Sequence, residues 1–215
     1  MSGCFGHERI RTARRCRALP SSLLVAALLF GAAGCHQMTP LDTKPLDTAG
    51  MSYDAILELK SLQITAPEVA ELARARASGY SDADCVDTVK TFRGRNRPFD
   101  AGDTIVGLIR AGVSEDTILE LAKIDQLGLG TGEFQAMKLA GLSDAIILEV
   151  ARHRAAAMPV LAGASLAELK NSGLRQSTLL ELARRGIPDS QADVIVSSRR
   201  HGASDADILG RFTGS

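Results

Sequence analysis

The chain has 215 residues, 25 basic and 25 acidic side chains and 45% hydrophobic residues. It has room for one domain, or at most two small ones, with a packed core. The balanced charge argues against nucleic acid as the main partner, which would call for a strong basic excess. Two tyrosines and no tryptophan are thin provision for a sugar-binding cleft.

The first segment is basic and then apolar. Arg9, Arg11, Arg14, Arg15 and Arg17 precede an apolar run from Leu19 to Ala33, and Ala32-Ala33-Gly34 leads into Cys35. About 15 apolar residues are short for a bilayer-spanning helix and suit a leader. The arrangement resembles the signal of bacterial lipoproteins, in which a signal peptidase cuts before a cysteine whose thiol carries a diacylglycerol. The resemblance covers the first 35 residues. Alanine stands three before the cysteine, where leucine is commoner. It implies a signal peptide over 1–34, lipid attachment at Cys35 and, with His36 rather than aspartate next, an outer-membrane address facing the periplasm.

Without that leader, which holds five arginines and Glu8, 20 basic and 24 acidic side chains remain, a formal charge of −4. Cys4 and Cys16 leave with it and Cys35 is committed to lipid. Cys85 is then the single free thiol, so no intramolecular disulfide forms.

Residues 35–50 read as a tether, with Pro40-Leu41-Asp42-Thr43 echoed by Pro45-Leu46-Asp47-Thr48. From Ser52 onward the apolar spacing is helical. Gly79, Gly112, Gly141, Gly173 and Gly202 each precede, by six residues, an apolar run such as Ile118-Leu119-Glu120-Leu121-Ala122. Gln63 takes the glycine's place ahead of Val69. Such a period of 29–33 residues predicts an all-α fold of short helical hairpins, stacked as a small solenoid or folded back as a bundle over 51–215. First helices are expected near 52–62, 101–111, 132–140, 165–172 and 190–200. Second helices follow near 67–77, 115–126, 144–156, 176–185 and 205–212, with an extra one at 82–93. Thr65-Ala66-Pro67-Glu68 has the form of a capping box with proline in the first turn. Ser81, Ser114, Ser143 and Ser204, two past their glycines, are cap positions.

Aligned by glycine, position +6 (Val69, Cys85, Ile118, Ile147, Leu179, Ile208) reads as core, which makes Cys85 a small core residue. Position +9 ends in Arg211, as expected of a terminal repeat that exposes what inner ones bury. Position +8 (Glu71, Asp87, Glu120, Glu149, Glu181) reads as a solvent-facing acidic stripe.

No HExxH, CxxC, calcium loop, GxSxG or Walker motif occurs, so no catalytic residue, metal or cofactor is assigned. Gly128-Leu129-Gly130-Thr131-Gly132 faintly resembles the turn of helix-hairpin-helix modules. It lacks a phosphate-loop lysine, however, and has Phe134 where alanine is expected. Arg93, Arg95 and Arg97 form the candidate binding loop for an anionic partner. The chain therefore reads as a lipid-anchored envelope protein that binds or scaffolds another envelope protein through its turns or the 93–97 loop. The alternative is a peptidoglycan-acting enzyme or accessory factor with carboxylates from separate repeats.

Overall fold

The computed structural model describes residues 40–128 and 130–212. The expected leader and Cys35 lie outside them. The described chain is helical, with no strand among these residues. In order, the helices are α1 (Lys44–Thr48), α2 (Tyr53–Ser61), α3 (Ala66–Ala77), α4 (Asp82–Arg93), α5 (Gly102–Ala111) and α6 (Glu115–Lys123). They continue with α7 (Thr131–Leu139), α8 (Asp144–Ala155), α9 (Gly163–Asn171), α10 (Gln176–Arg184), α11 (Ala192–Arg200) and α12 (Asp205–Arg211), with a 3-10 turn at Asp189–Gln191 before α11.

Each odd helix packs against the next odd one and each even helix against the next even one. Within a hairpin, α1 meets α2, α3 meets α4, and so on to α11 and α12. The result is a two-layer stack of hairpins, a solenoid-like arrangement. The core lies between the layers and runs without a break from Leu46 to Ile208. The described residues form one compact unit.

The phase of the first hairpins differs from the sequence expectation. Residues 44–48 are a helix rather than tether, and Leu46 is fully buried. Pro45 sits in the first turn, where its missing N–H costs nothing. Gly50 (φ +79°) then ends α1 as Gly112 (φ +87°) ends α5, in a left-handed conformation that glycine adopts without a Cβ clash. Consequently α2 pairs with α1, and the helix at 82–93 pairs with α3 instead of standing as an extra. Gln63 does have positive φ (+55°), but it belongs to a second class of turn, between hairpins. Asn96, Asp125, Ala157 and Gly186 occupy the same place.

With Gly50 restored, position +6 begins with Ile56 instead of Val69. Ile56, Cys85, Ile118, Ile147, Leu179 and Ile208 are all buried. Position +9 is buried from Leu59 through Leu182, and Arg211 is exposed. The terminal helix thus exposes a charged residue where inner repeats bury Thr88 or an aliphatic side chain.

Odd helices approach one another closely. A Cβ on Gly102 at the start of α5 would collide with the backbone of Glu71 in α3, and one on Gly163 in α9 would lie 2.6 Å from Met137 of α7. Side chains of ordinary size at these two positions would force the layer apart.

Candidate functional site

Charged and polar groups are the natural place to look for a site, and most of them build a repeating internal network. The residue two past each turn glycine begins an even helix, and its backbone N–H has no helical partner. In each hairpin but the last it donates to the first residue of the next even helix. Ser52 donates to Asp82 (2.9 Å), Ser81 to Glu115 (2.8 Å) and Ser114 to Asp144 (2.9 Å). Ser143 donates to Gln176 (3.2 Å) and Arg175 to Asp205 (3.2 Å). At the end of the ladder Ser204 donates to its own Asp207 at 2.9 Å, and at its start Tyr53 holds the acceptor's position.

Cations lock the same edge. Arg76 bonds Asp82 (2.6 Å) and the Gly50 carbonyl (3.1 Å). Lys138 pairs with Asp144, Lys170 donates to the Ala140 carbonyl (2.6 Å), and Arg199 joins the Gly173 carbonyl (2.9 Å) to Asp205 (3.3 Å). Burial pushes Asp82 and Asp144 upward. The bonds from Ser52 and Arg76, and from Lys138 and Ser114, outweigh it and hold both below the usual carboxylate range. The Thr178 hydroxyl, at 2.6 Å, does most to lower Asp205.

The opposite edge, between hairpins, holds the three arginines of the candidate loop. Arg93 pairs with Glu68 at 2.7 Å and donates to the carbonyls of Leu62 (3.1 Å), Gln63 (3.3 Å) and Arg97 (3.1 Å). Arg95 caps the end of α6 through the carbonyls of Ala122 (2.8 Å) and Lys123. Arg97 pairs with Asp125 (2.8 Å) and lies over the Phe92 ring, 5.3 Å from its centroid. The structure brings the three together on one turn and gives each an internal partner.

Glu68 is the centre of this cluster. It is 1% exposed and accepts from Thr65 N–H (2.7 Å), Thr65 hydroxyl (2.8 Å), Phe99 N–H (2.7 Å) and Arg93. Burial raises its pKa, but Arg93 and the two backbone donors overcome that and bring it to about 2. The capping box is legible in the sequence. The Arg93 and Phe99 bonds, from residues 25 and 31 positions away, are not.

The acidic stripe on the even layer starts with Glu58 rather than Glu71. Glu71 sits on α3, beside Arg74. Its members have cations at hand: Glu58 and Asp87 share Lys90 (2.7 and 3.3 Å), Glu120 has Lys123 (2.8 Å), Glu149 has Arg152 (3.7 Å) and Glu181 has Arg185 (2.9 Å). Solvated pairs of this kind contribute little each, and they leave no bare acidic surface along the stripe.

The remaining candidates are structural in their surroundings. Cys85 is buried, and desolvation pushes its thiol up to about 12. Tyr80, also buried, bonds Thr88 at 2.9 Å. His153 is buried with Nδ1 3.1 Å from the Pro159 carbonyl and Nε2 3.6 Å from Glu149. His201 bonds the Ser197 carbonyl at 2.7 Å. No cluster of metal-ligating side chains occurs among the described residues. At the start of α7, after the glycine-rich turn, Arg154 bonds Glu133 at 2.6 Å and covers Phe134.

The outer face of the odd layer is different. There α1 and α3 enclose an open groove of about 510 Å³, lined by Asp42, Lys44, Pro45, Thr48, Ala49, Ala73, Arg74 and Ala77. A second groove of about 500 Å³ between α3 and α5 shares Arg74 and Ala77 with the first and adds Ser78, Asp103, Val106 and Arg110. Further along the layer, Leu139 on α7 is 75% exposed, and at the end of the stack Val194 on α11, beside Arg211 of α12, is 50% exposed.

No family model, curated protein or solved structure matches the chain. Fold and network define a stacked helical-hairpin protein whose polar repeat positions hold its own turns in place.

Proposed function

We propose that this is a lipid-anchored envelope protein acting as a protein-binding or scaffolding module. Its membrane attachment is at Cys35, and its binding surface is the odd-layer face from α5 to α11. The supporting observation is the uneven use of surface. Both turn edges and the acidic stripe of the even layer are closed by internal pairs. The odd-layer face carries exposed Leu139 together with Arg110, for which no ion pair occurs among the described residues. Stacked hairpins suit such a role because each adds surface to one extended face. The peptidoglycan-acting alternative calls for a carboxylate with a raised pKa in a cleft. Each carboxylate with a resolved shift (Glu68, Asp82, Asp144, Asp205 and Asp207) is shifted downward instead.

The test places a photo-crosslinking residue at Leu139, on the odd layer, or at Glu120, on the even layer, in cells expressing the full chain. A discrete protein adduct at Leu139, absent at Glu120 and abolished by Arg110→Glu in a chain of unchanged helicity, is expected. Adducts equal at both sites, or at neither, would refute the assigned face. Cys35→Ser is expected to abolish incorporation of labelled fatty acid into the protein, and incorporation that persists would refute the anchor.

A further inference from the structure

The two ends of the stack are finished differently. Asp82, Glu115, Asp144, Gln176 and Asp205 each accept a bond from the preceding hairpin, so the third position past the turn glycine looks back along the stack. In α2 that position is Tyr53, 72% exposed. Leu57 and Lys60 lie four and seven residues further on, along the same helix face. Leu57 is 45% exposed, whereas its counterpart Val86 is buried and Leu148, Leu180 and Leu209 are partly buried against the core. Lys60 is exposed where Val89, Ala122, Ala151 and Ala183 are buried. One face of α2 thus presents a tyrosine, a leucine and a lysine where later even helices have a neighbour. The C-terminal end, by contrast, exposes Asp207 and Arg211, the polar finish that a terminal repeat requires.

We infer that the N-terminal end of the stack seats on the lipid surface, with Tyr53 and Leu57 at headgroup depth and the later hairpins standing away from the membrane. This rests on the lipid attachment at Cys35 proposed above. Five residues carry the chain from Cys35 to Pro40. An extended chain gains at most about 3.6 Å per residue, so Pro40 lies within about 18 Å of the anchored sulfur. The first hairpin follows at once, whereas α12 is five hairpins further on, about 40–50 Å at the usual spacing of packed helices. So short a tether brings the Tyr53 face, and not the C-terminal end, to the membrane. The chemistry agrees. A tyrosine ring settles between acyl chains and headgroups, leucine adds apolar area, and a lysine stem lets its ammonium reach phosphate oxygens. Net charge is not the attraction, since Lys44 and Lys60 at this end are opposed by Asp42, Asp47 and Asp54. Two apolar side chains hold a bilayer weakly by themselves, but the anchor makes their contact intramolecular. A second copy stacked end to end fits less well. Tyr53 offers no carboxylate to continue the ladder, and the Ser204 N–H at the other end is already taken by Asp207.

The test uses the full chain, expressed, lipidated and reconstituted into vesicles of phosphatidylethanolamine and phosphatidylglycerol. The chain has no tryptophan, so Tyr53→Trp and His201→Trp each place a single reporter at one end of the stack. Lipid spin-labelled near the headgroup should quench the Tyr53→Trp reporter several-fold more than the His201→Trp reporter, and emission of the former should shift to the blue on reconstitution. Adding Leu57→Asp should cut that quenching several-fold at unchanged helicity, and high salt should leave it as it was. Equal quenching at both ends, or none at the Tyr53→Trp reporter, in a chain that has incorporated fatty acid at Cys35 overturns the inference and leaves the anchor standing. No incorporation at Cys35 refutes the anchor, and the inference falls with it. A blue shift that deepens with protein concentration and ignores the lipid label assigns the face to a second copy and overturns the inference as well. Should Tyr53→Trp lose helicity, Lys60→Cys carrying an environment-sensitive dye replaces it with the same expected result, Cys85 being buried.

Discussion

Replacing Glu68 by glutamine tests whether charge, rather than shape, holds the second hairpin to the third. The folded pKa of about 2 lies below the ordinary 4.5. Each tenfold change in proton affinity is worth about 1.4 kcal/mol, so the charged form contributes about 3 kcal/mol. A second route reaches a similar figure. Truncating one member of a buried ion pair typically costs about 3–5 kcal/mol, and the half-open setting of Arg93, 28% exposed, places this pair at the lower end. The sign follows from the depressed folded value. The contribution is complete above pH 4.5 and disappears as pH falls through 2.

The chain has no tryptophan, so unfolding in urea is followed by circular dichroism at 222 nm. Glu68→Gln should lower the midpoint at pH 7 by about 1–3 M, given slopes of about 1–3 kcal/mol per M. The gap from wild type should narrow below pH 4.5 and close near pH 2. Stacked repeats can open in parts, so amide exchange should place the loss in α3, α4 and the start of α5. A gap that stays constant between pH 7 and pH 2 would refute the reasoning, because it would make the cost one of packing alone.

Asp144→Ala leaves the Ser114 N–H and Lys138 without their acceptor and should cost about 1–2 kcal/mol by urea titration. Asp144→Asn should recover part of it, and the wild-type advantage should fade as pH falls through the lowered carboxylate pKa. Two glycine substitutions should separate strain from collision. Gly50→Ala meets nothing within 4 Å and should lose about 1 kcal/mol to its left-handed backbone. Gly102→Ala strikes the Glu71 backbone and should lose about 1–3 kcal/mol, so equal midpoints would contradict the close approach of α3 and α5. Cys85 should resist a thiol reagent at pH 8 in the native unit 40–215 and react stoichiometrically in urea, whereas rapid native labelling would contradict its burial and raised pKa.

The regular part of the fold is legible because glycine, serine and the aliphatic positions obey local rules. Gly112-Val113-Ser114 announces a turn and a cap whatever surrounds it, and Ile118 and Leu121 follow at helical spacing. The first hairpin is hidden because Pro40 and Pro45 look like tether, although Pro45 is tolerated in a first helical turn and Leu46 is core. Residue type cannot reveal the partners of Arg93, Arg95 and Arg97. Three arginines around a glycine look like free charge until the carbonyls of residues 62, 63, 122 and 123, together with Glu68 and Asp125, are brought beside them by stacking. The groove has no sequence signature either, since Ala73 and Ala77 differ from other helical alanines only in what packs opposite.

The irregular glycine spacing of 29, 33, 29, 32 and 29 residues has a structural cause. From each between-hairpin turn to the next glycine the distance is always 16 residues, as from Gln63 to Gly79 or Gly186 to Gly202. The variation lies in the even half of each hairpin: α2, α6 and α10 have 9 residues, α4 and α8 have 12, and the turn after α4 holds one residue more than the others. The additional turn has a use. Arg93 at the end of α4 reaches Glu68 in the first turn of α3, and Arg154 near the end of α8 reaches Glu133 in the first turn of α7. Each glutamate also accepts a backbone N–H from the segment entering the next odd helix, Phe99 in one case and Gly163 in the other. Gly102 and Gly163, the first residues of α5 and α9, pack where a Cβ would collide. The unit that repeats is therefore a pair of hairpins about 61–62 residues long, as Gly79 to Gly141 and Gly141 to Gly202 show. Alternate junctions are fastened by a glutamate–arginine clamp, and the turn edge of the stack is tied by the carboxylate and glutamine ladder. Fastening at alternate junctions makes α3–α4–α5 and α7–α8–α9 the segments whose amides should exchange last, with the end helices opening first.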